Sequence, residues 1–135
     1  MYSNIMIPVS FDEDRDIASA IEIAKILSSA GARVTFAHAL EAMPAYVTDF
    51  IPAETFDMRR DAAKKLLARA MEGIPNGHGV ILDGSAGRSL VSWADENEAD
   101  CIVVASHRPA ISDIVMGSTA AWIVRHANCA VHVIR

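Results

Sequence analysis

The residues Gly117-Ser118-Thr119-Ala120-Ala121 open an apolar helical stretch without a carboxylate among them. Glycine lets an oxyanion come close to the backbone, two hydroxyls stand ready beside it, and the unpaired N–H groups of a helix start attract negative charge. The chemistry on offer is the holding of an anion. The same run has a plainer alternative, in which Ser118 simply caps its helix. Gly84-Ser85-Ala86-Gly87-Arg88 is a second helix start without a carboxylate, but Gly-x-x-Gly is a weak signal that a strand-to-helix turn also explains. The first helix is the opposite case: Asp12, Glu13, Asp14 and Asp16 crowd its front and would repel a phosphate.

Covalent chemistry finds less support. Ser10, Ser106 and Ser118 are possible nucleophiles, yet none lies in a G-x-S-x-G elbow and none has a base nearby in sequence. His107 is an acid–base candidate, but a loop histidine beside a strand end is more often a hydrogen-bond donor or an incidental surface residue. His38, His126 and His132 fall in strand or helix sequence without metal-ligand grouping, so no metal site is expected. Cys101 and Cys129 lack C-x-x-C spacing and read as reduced, buried thiols. The only lysines, Lys25, Lys64 and Lys65, all lie on helices away from any glycine loop, which excludes a P-loop NTPase. Pro8-Val9-Ser10-Phe11 contains no glycine, so the dinucleotide fingerprint is missing too. Binding without vigorous catalysis is the expectation.

The elements that must position these residues follow from apolar runs. Asn4–Val9, Val34–Leu40, His78–Leu82, Cys101–Ala105 and Ala130–Ile134 have strand length and composition. Between them, Ile17, Ile21, Ala24 and Leu27 recur at helical spacing, predicting a helix from Asp14 to Ala30 that Gly31 ends. The stretch from Glu54 to Gly73 reads as a long amphipathic helix whose Arg59, Arg60, Lys64, Lys65 and Arg69 form a solvated face. Arg88 to Asn97 and a stretch from Gly117 complete the helices, and Glu41 to Ala53 is left as a flap over its surroundings. Strands alternating with helices imply a doubly wound parallel sheet, and Cys101–Ala105, apolar throughout, belongs at its centre. Its ligand crevice lies beyond the carboxyl ends of the strands, where strand order reverses.

Composition sets the outer bounds. A chain of 135 residues, 52% hydrophobic, supports one domain spanning 1–135. Its 17 acidic side chains outnumber its 12 basic ones and no basic stripe follows a phosphodiester backbone, so nucleic acid is not an expected partner. Without a cationic start or an apolar run of roughly 18 residues, the expectation is a cytoplasmic protein that inserts in no membrane.

The carboxyl-terminal third, Ala105-Ser106-His107-Arg108-Pro109 through Gly117-Ser118-Thr119 to Arg125-His126-Ala127, resembles the universal stress protein family. Ile7-Pro8-Val9 and Glu98-Ala99-Asp100 carry the resemblance over nearly the whole chain. It implies an α/β fold of the adenine nucleotide alpha hydrolase-like kind: an open parallel five-stranded sheet, order 3-2-1-4-5, with helices on both faces. The family's nucleotide binders show G-x-x-G, nine residues, then G-[ST]; here Ala105 and Arg108 replace the glycines and eight residues separate Arg108 from Gly117. That combination looks like a bacterial subgroup similar to nucleotide binders.

The resemblance further implies ATP or AMP, with magnesium as a companion of the phosphates, as a regulatory ligand between strands one and four. Pro8, Val9 and Ser10 would line the adenine end, Ala39 would flank it, and Val104, Ala105, His107 and Arg108 would surround ribose and phosphate. Gly117, Ser118 and Thr119 would hold the phosphates. Ser10 stands where the family usually has aspartate, while Arg108 adds a cation able to pair with phosphate. A homodimer through the edge strand Ala130–Ile134, and an unidentified protein partner, are also expected. The competing readings are a nucleotide-free dimerisation module and an enzyme that slowly hydrolyses ATP or cleaves adenylates.

Overall fold

The computed structural model describes residues 1–11, 14–106 and 117–135, and for 14–16 the backbone alone. Its strands are β1 (Tyr2–Pro8), β2 (Ser28–Leu40), β3 (Gly77–Asp83), β4 (Cys101–Ala105) and β5 (Ala130–Ile134). All neighbouring pairs are parallel and the spatial order is β3-β2-β1-β4-β5, the order expected from the resemblance. The helices are α1 (Asp14–Leu27), the four-residue α2 (Ala45–Thr48), α3 (Ala53–Met71), α4 (Ala86–Glu96) and α5 (Ser118–His126).

Alternation along the strands divides the core into two layers. Ile5, Ile7, Val34, Phe36, Cys101 and Val103 face α1 and α3, where they pack with Ala20, Ala24, Leu66, Leu67 and Ala70. Met6, Ala37, Ile102 and Val104 face the other way, toward Leu90, Val91 and Ala94 of α4 and Ala120 and Ile123 of α5. β1 and β4 are apolar on both faces because both faces are covered.

The first helix is shorter than its spacing predicts. α1 stops at Leu27, and Gly31, with φ +73°, sits in the irregular start of β2 rather than at a helix end. Pairing runs from Tyr2↔Ser28 to Asn4↔Arg33, so β2 uses five residues where β1 uses two. The Ser29 hydroxyl donates to the Tyr2 carbonyl at 3.1 Å, which fixes the chain to β1 as soon as the helix ends. The segment 41–53 is also not a packed flap. α2 buries none of its residues, and Tyr46 and Phe50 are 75% and 86% exposed.

Asp100 locks the opposite end of the sheet. Its carboxylate accepts from Ser3 N–H (2.9 Å), Ser3 Oγ (3.1 Å) and Asn4 N–H (3.0 Å), while its own N–H donates to the Asn4 carbonyl at 2.9 Å. Burial pushes this carboxyl up, but the Ser3 and Asn4 donors outweigh it and hold it below the ordinary 3.8. A lowered carboxyl stabilises the fold above its unfolded value and loses that contribution as pH falls through the folded one. Asp100→Ala is therefore expected to cost about 1 kcal/mol at pH 7, a modest figure because the group is partly solvated. Chemical denaturation should show the gap between variant and parent closing below about pH 4.

Cys101 is buried, and its thiol is pushed up to about 11, chiefly by burial, with Cys129 and Asp100 adding to it. It stays protonated at neutral pH and is no nucleophile. Cys129 is also unpaired but only half-buried, which corrects the expectation of two buried thiols.

Candidate functional site

β1 and β4 run together only at Ile5↔Cys101 and Met6↔Ile102. Beyond that level they part. The Val9 N–H donates to the Ala37 carbonyl at 2.8 Å, carrying the tail of β1 toward β2. β4 keeps to β5 as far as Ala105↔Ile134, after which Ser106 N–H (2.9 Å) and Oγ (3.0 Å) both donate to the Ile134 carbonyl. Since Val9 turns its N–H to β2, alternation turns the nitrogen of Pro8 to β4, and proline has no N–H to extend that ladder. The result is a crevice at the point where strand order reverses, the place where open α/β sheets take ligands.

Ser106 also fixes the far wall. Its carbonyl accepts the Gly117 N–H at 3.3 Å, drawing the start of α5 to the end of β4. Gly117 is the cap residue, with φ −59°, and Ser118 is the first helical residue, exposed to solvent. Ser118 therefore does not cap its helix, and the plainer alternative for this run is removed. The first turn of α5 holds no acidic residue and its last turn holds Arg125 and His126, so charge along the helix leaves the positive end of the dipole unopposed.

The sequence-derived site residues assemble at this end of the sheet. Pro8, Val9 and Ser10 leave β1, Ala39 is the last but one residue of β2 and one pair beyond the level of Val9, Val104 and Ala105 end β4, and Gly117, Ser118 and Thr119 lie at the start of α5. Val9 and Val104 are each 4% exposed and are buried on opposite faces of the sheet, Val9 with the α1/α3 layer and Val104 with the α4/α5 layer, while Ser10, Ala105, Gly117 and Thr119 are partly exposed. His107 and Arg108 lie outside the described residues. Among the described residues no three His, Cys, Asp or Glu side chains group as a metal site.

The second candidate anion site is filled by the protein itself. Glu41 Oε1 accepts the Ala86 N–H at 3.3 Å, so a carboxylate already occupies the start of α4. The Arg59 guanidinium donates to the Glu41 carbonyl (3.1 Å) and Arg60 pairs with the Asp83 carboxylate (2.8 Å). These two arginines, expected on a solvated face, tie α3 to the ends of β2 and β3.

His38 is the residue that sequence reasoning missed. It is 7% exposed, its Nδ1 lies 2.7 Å from the Val9 carbonyl, and the Phe11 ring meets its own edge-on with centroids 5.1 Å apart. The available signal was a polar ring inside the apolar run Val34–Leu40, where a buried polar group needs a partner.

Comparison with known proteins agrees with the fold. A universal stress protein from Thermus aquaticus is 28% identical over 139 aligned positions, covering 100% of both chains. The solved universal stress protein UspA from Lactobacillus plantarum superposes with TM-score 0.75 at 25% identity, over 99% of this chain and 98% of that one. The universal stress protein from Archaeoglobus fulgidus in complex with dAMP superposes with TM-score 0.67 at 21% identity, over 99% and 98% of the two chains. The model of the universal stress protein family matches residues 1–135. This chain belongs to the universal stress protein family.

Proposed function

We propose that the chain binds an adenine nucleotide, ATP or AMP, in the crevice between β1 and β4 as a regulatory ligand of a cytoplasmic stress response. The observation that carries this reading is the start of α5, free of acidic residues and drawn to the crevice by the Gly117–Ser106 bond. The apolar end of β1 at Val9 suits a base, and the amide groups of Ser118 and Thr119 suit phosphate, the Gly117 N–H being already given to the Ser106 carbonyl. The dAMP complex of the Archaeoglobus fulgidus relative supports the choice of ligand. Magnesium would ride on the phosphates of ATP.

Ligand sensing fits better than turnover. The described part of the crevice offers Ser10, Ser106, Ser118 and Thr119 but no lysine and no carboxylate that would place an attacking water. Acid extraction of the purified protein followed by chromatography tests the reading, with co-purified adenine nucleotide expected. A protein that carries none, and takes up none of added ATP or AMP in equilibrium dialysis, would instead be the nucleotide-free module.

The same reading includes a homodimer. β5 pairs with β4 alone, and its Val131 and Val133 remain partly exposed at the sheet edge. Light scattering is expected to give twice the mass of one chain, and the mass of a single chain would count against pairing through Ala130–Ile134.

A further inference from the structure

The nucleotide reading leaves one buried polar side chain beside the crevice without a task. His38 belongs to β2, yet its Nδ1 reaches across to the end of β1 and meets the carbonyl of Val9, the residue that follows β1 where it parts from β4, at 2.7 Å. A carbonyl can only accept, so Nδ1 must carry the hydrogen. The same residue, Val9, also donates its N–H to Ala37 at 2.8 Å. Val9 is thus bound through both its amide and its carbonyl to consecutive members of the β2 run, Ala37 by backbone and His38 by side chain. Both bonds hold the tail of β1 toward β2, in the direction that opens the crevice, and the Phe11 ring meets the imidazole edge-on with centroids 5.1 Å apart.

We propose that His38 is a positioning residue of the nucleotide site: by donating Nδ1–H to the Val9 carbonyl it holds the β1 tail against β2 and keeps the base-binding end of the crevice open. The inference rests on the nucleotide reading for its ligand, but the restraint on Val9 exists without any ligand. A residue that served only as core filling would be replaced without loss by an apolar side chain of similar bulk. A residue that acts through its donor is replaced only by another donor, and the Asn amide places a nitrogen where the His ring has Nδ1.

The test compares His38→Leu with His38→Asn, using AMP as probe in calorimetry and hydrogen exchange of the Val9 amide by NMR in the unliganded protein. His38→Leu is expected to weaken AMP binding about tenfold, roughly 1.4 kcal/mol, and to speed Val9 exchange by a similar factor. His38→Asn is expected to stay within about threefold of the parent in both, a spread below 1 kcal/mol. A folded His38→Leu protein whose Val9 amide exchanges at the parental rate overturns the proposal, as does one that binds AMP as tightly as the parent. If the parent itself binds neither AMP nor ATP, the nucleotide reading fails, and the exchange comparison still decides whether His38 restrains Val9; a parent that binds ATP alone is compared with ATP as the probe. Should His38→Leu fail to fold, His38→Asn decides alone: parental exchange and affinity support the donor role, and tenfold losses in an Asn variant that retains the donor overturn it.

Discussion

Gly117→Asp is expected to lower adenine-nucleotide affinity by about 100-fold, roughly 2.7 kcal/mol, while leaving the protein as stable as before or slightly more so. The two effects come from one carboxylate. Gly117 has φ −59°, which any residue adopts, and it occupies the cap position of α5, where aspartate is among the best residues. An aspartate there would accept from the N–H groups of the first turn and add roughly a few tenths of a kcal/mol to stability over glycine. Those same N–H groups are the ones assigned to phosphate, and two negative charges about 4 Å apart repel by roughly 4 kcal/mol at an effective dielectric near 20. Calorimetry and thermal denaturation on the same sample separate the effects. Lost affinity together with lost stability would indicate damage to the helix rather than competition for it.

Gly87→Ala carries the largest expected cost to stability. An alanine in a helix interior normally gains about 1 kcal/mol over glycine. Here a methyl group at position 87 would stand 2.6 Å from both Cβ and Cγ of Trp122, closer than carbon atoms approach. Trp122 Cβ is fixed to the backbone of α5, so relief requires α4 and α5 to separate. The indole has little room to turn, because the His126 ring stacks on it at 3.9 Å and the Arg88 guanidinium lies 5.3 Å from its centroid. Overpacking of this kind costs about 1–3 kcal/mol, and the upper part of that range is expected to prevail over the helix-propensity gain. A net loss near 2 kcal/mol would lower the melting temperature by roughly 5–10 °C. Since α5 carries the phosphate end of the crevice, nucleotide affinity should fall with it. A variant that melts at or above the parental temperature would show that the two helices accommodate the methyl group.

Where the signal was local, the chain could be read directly. β4 and β5 begin and end where their apolar runs do, because Asp100 and Ser106 bracket one and the chain end follows the other. The start of α5 near Gly117 was legible from its glycine and its lack of carboxylates, whereas Pro8, Val9, Val104 and Ala105 were expected from the family resemblance; all of them lie at the carboxyl ends of strands or at that helix start. What escaped was set by contacts between distant residues. Nothing near Leu27 announces the end of α1, since the stop comes from the pairing of Ser28 with Tyr2. The filling of the α4 start by Glu41 joins residues 45 positions apart, and no helix period carries that information. His38 looked like a strand residue until the register of β1 against β2 placed Val9 beside it.

The central claim is that phosphate oxygens of an adenine nucleotide lie beside Gly117, against the amide groups of Ser118 and Thr119, with the base over Val9. A crystal structure of the protein grown with AMP or ATP tests this most directly. The account predicts density for the phosphates within hydrogen-bond distance of those amides; nucleotide bound elsewhere, or a crevice closed by its own side chains, would contradict it.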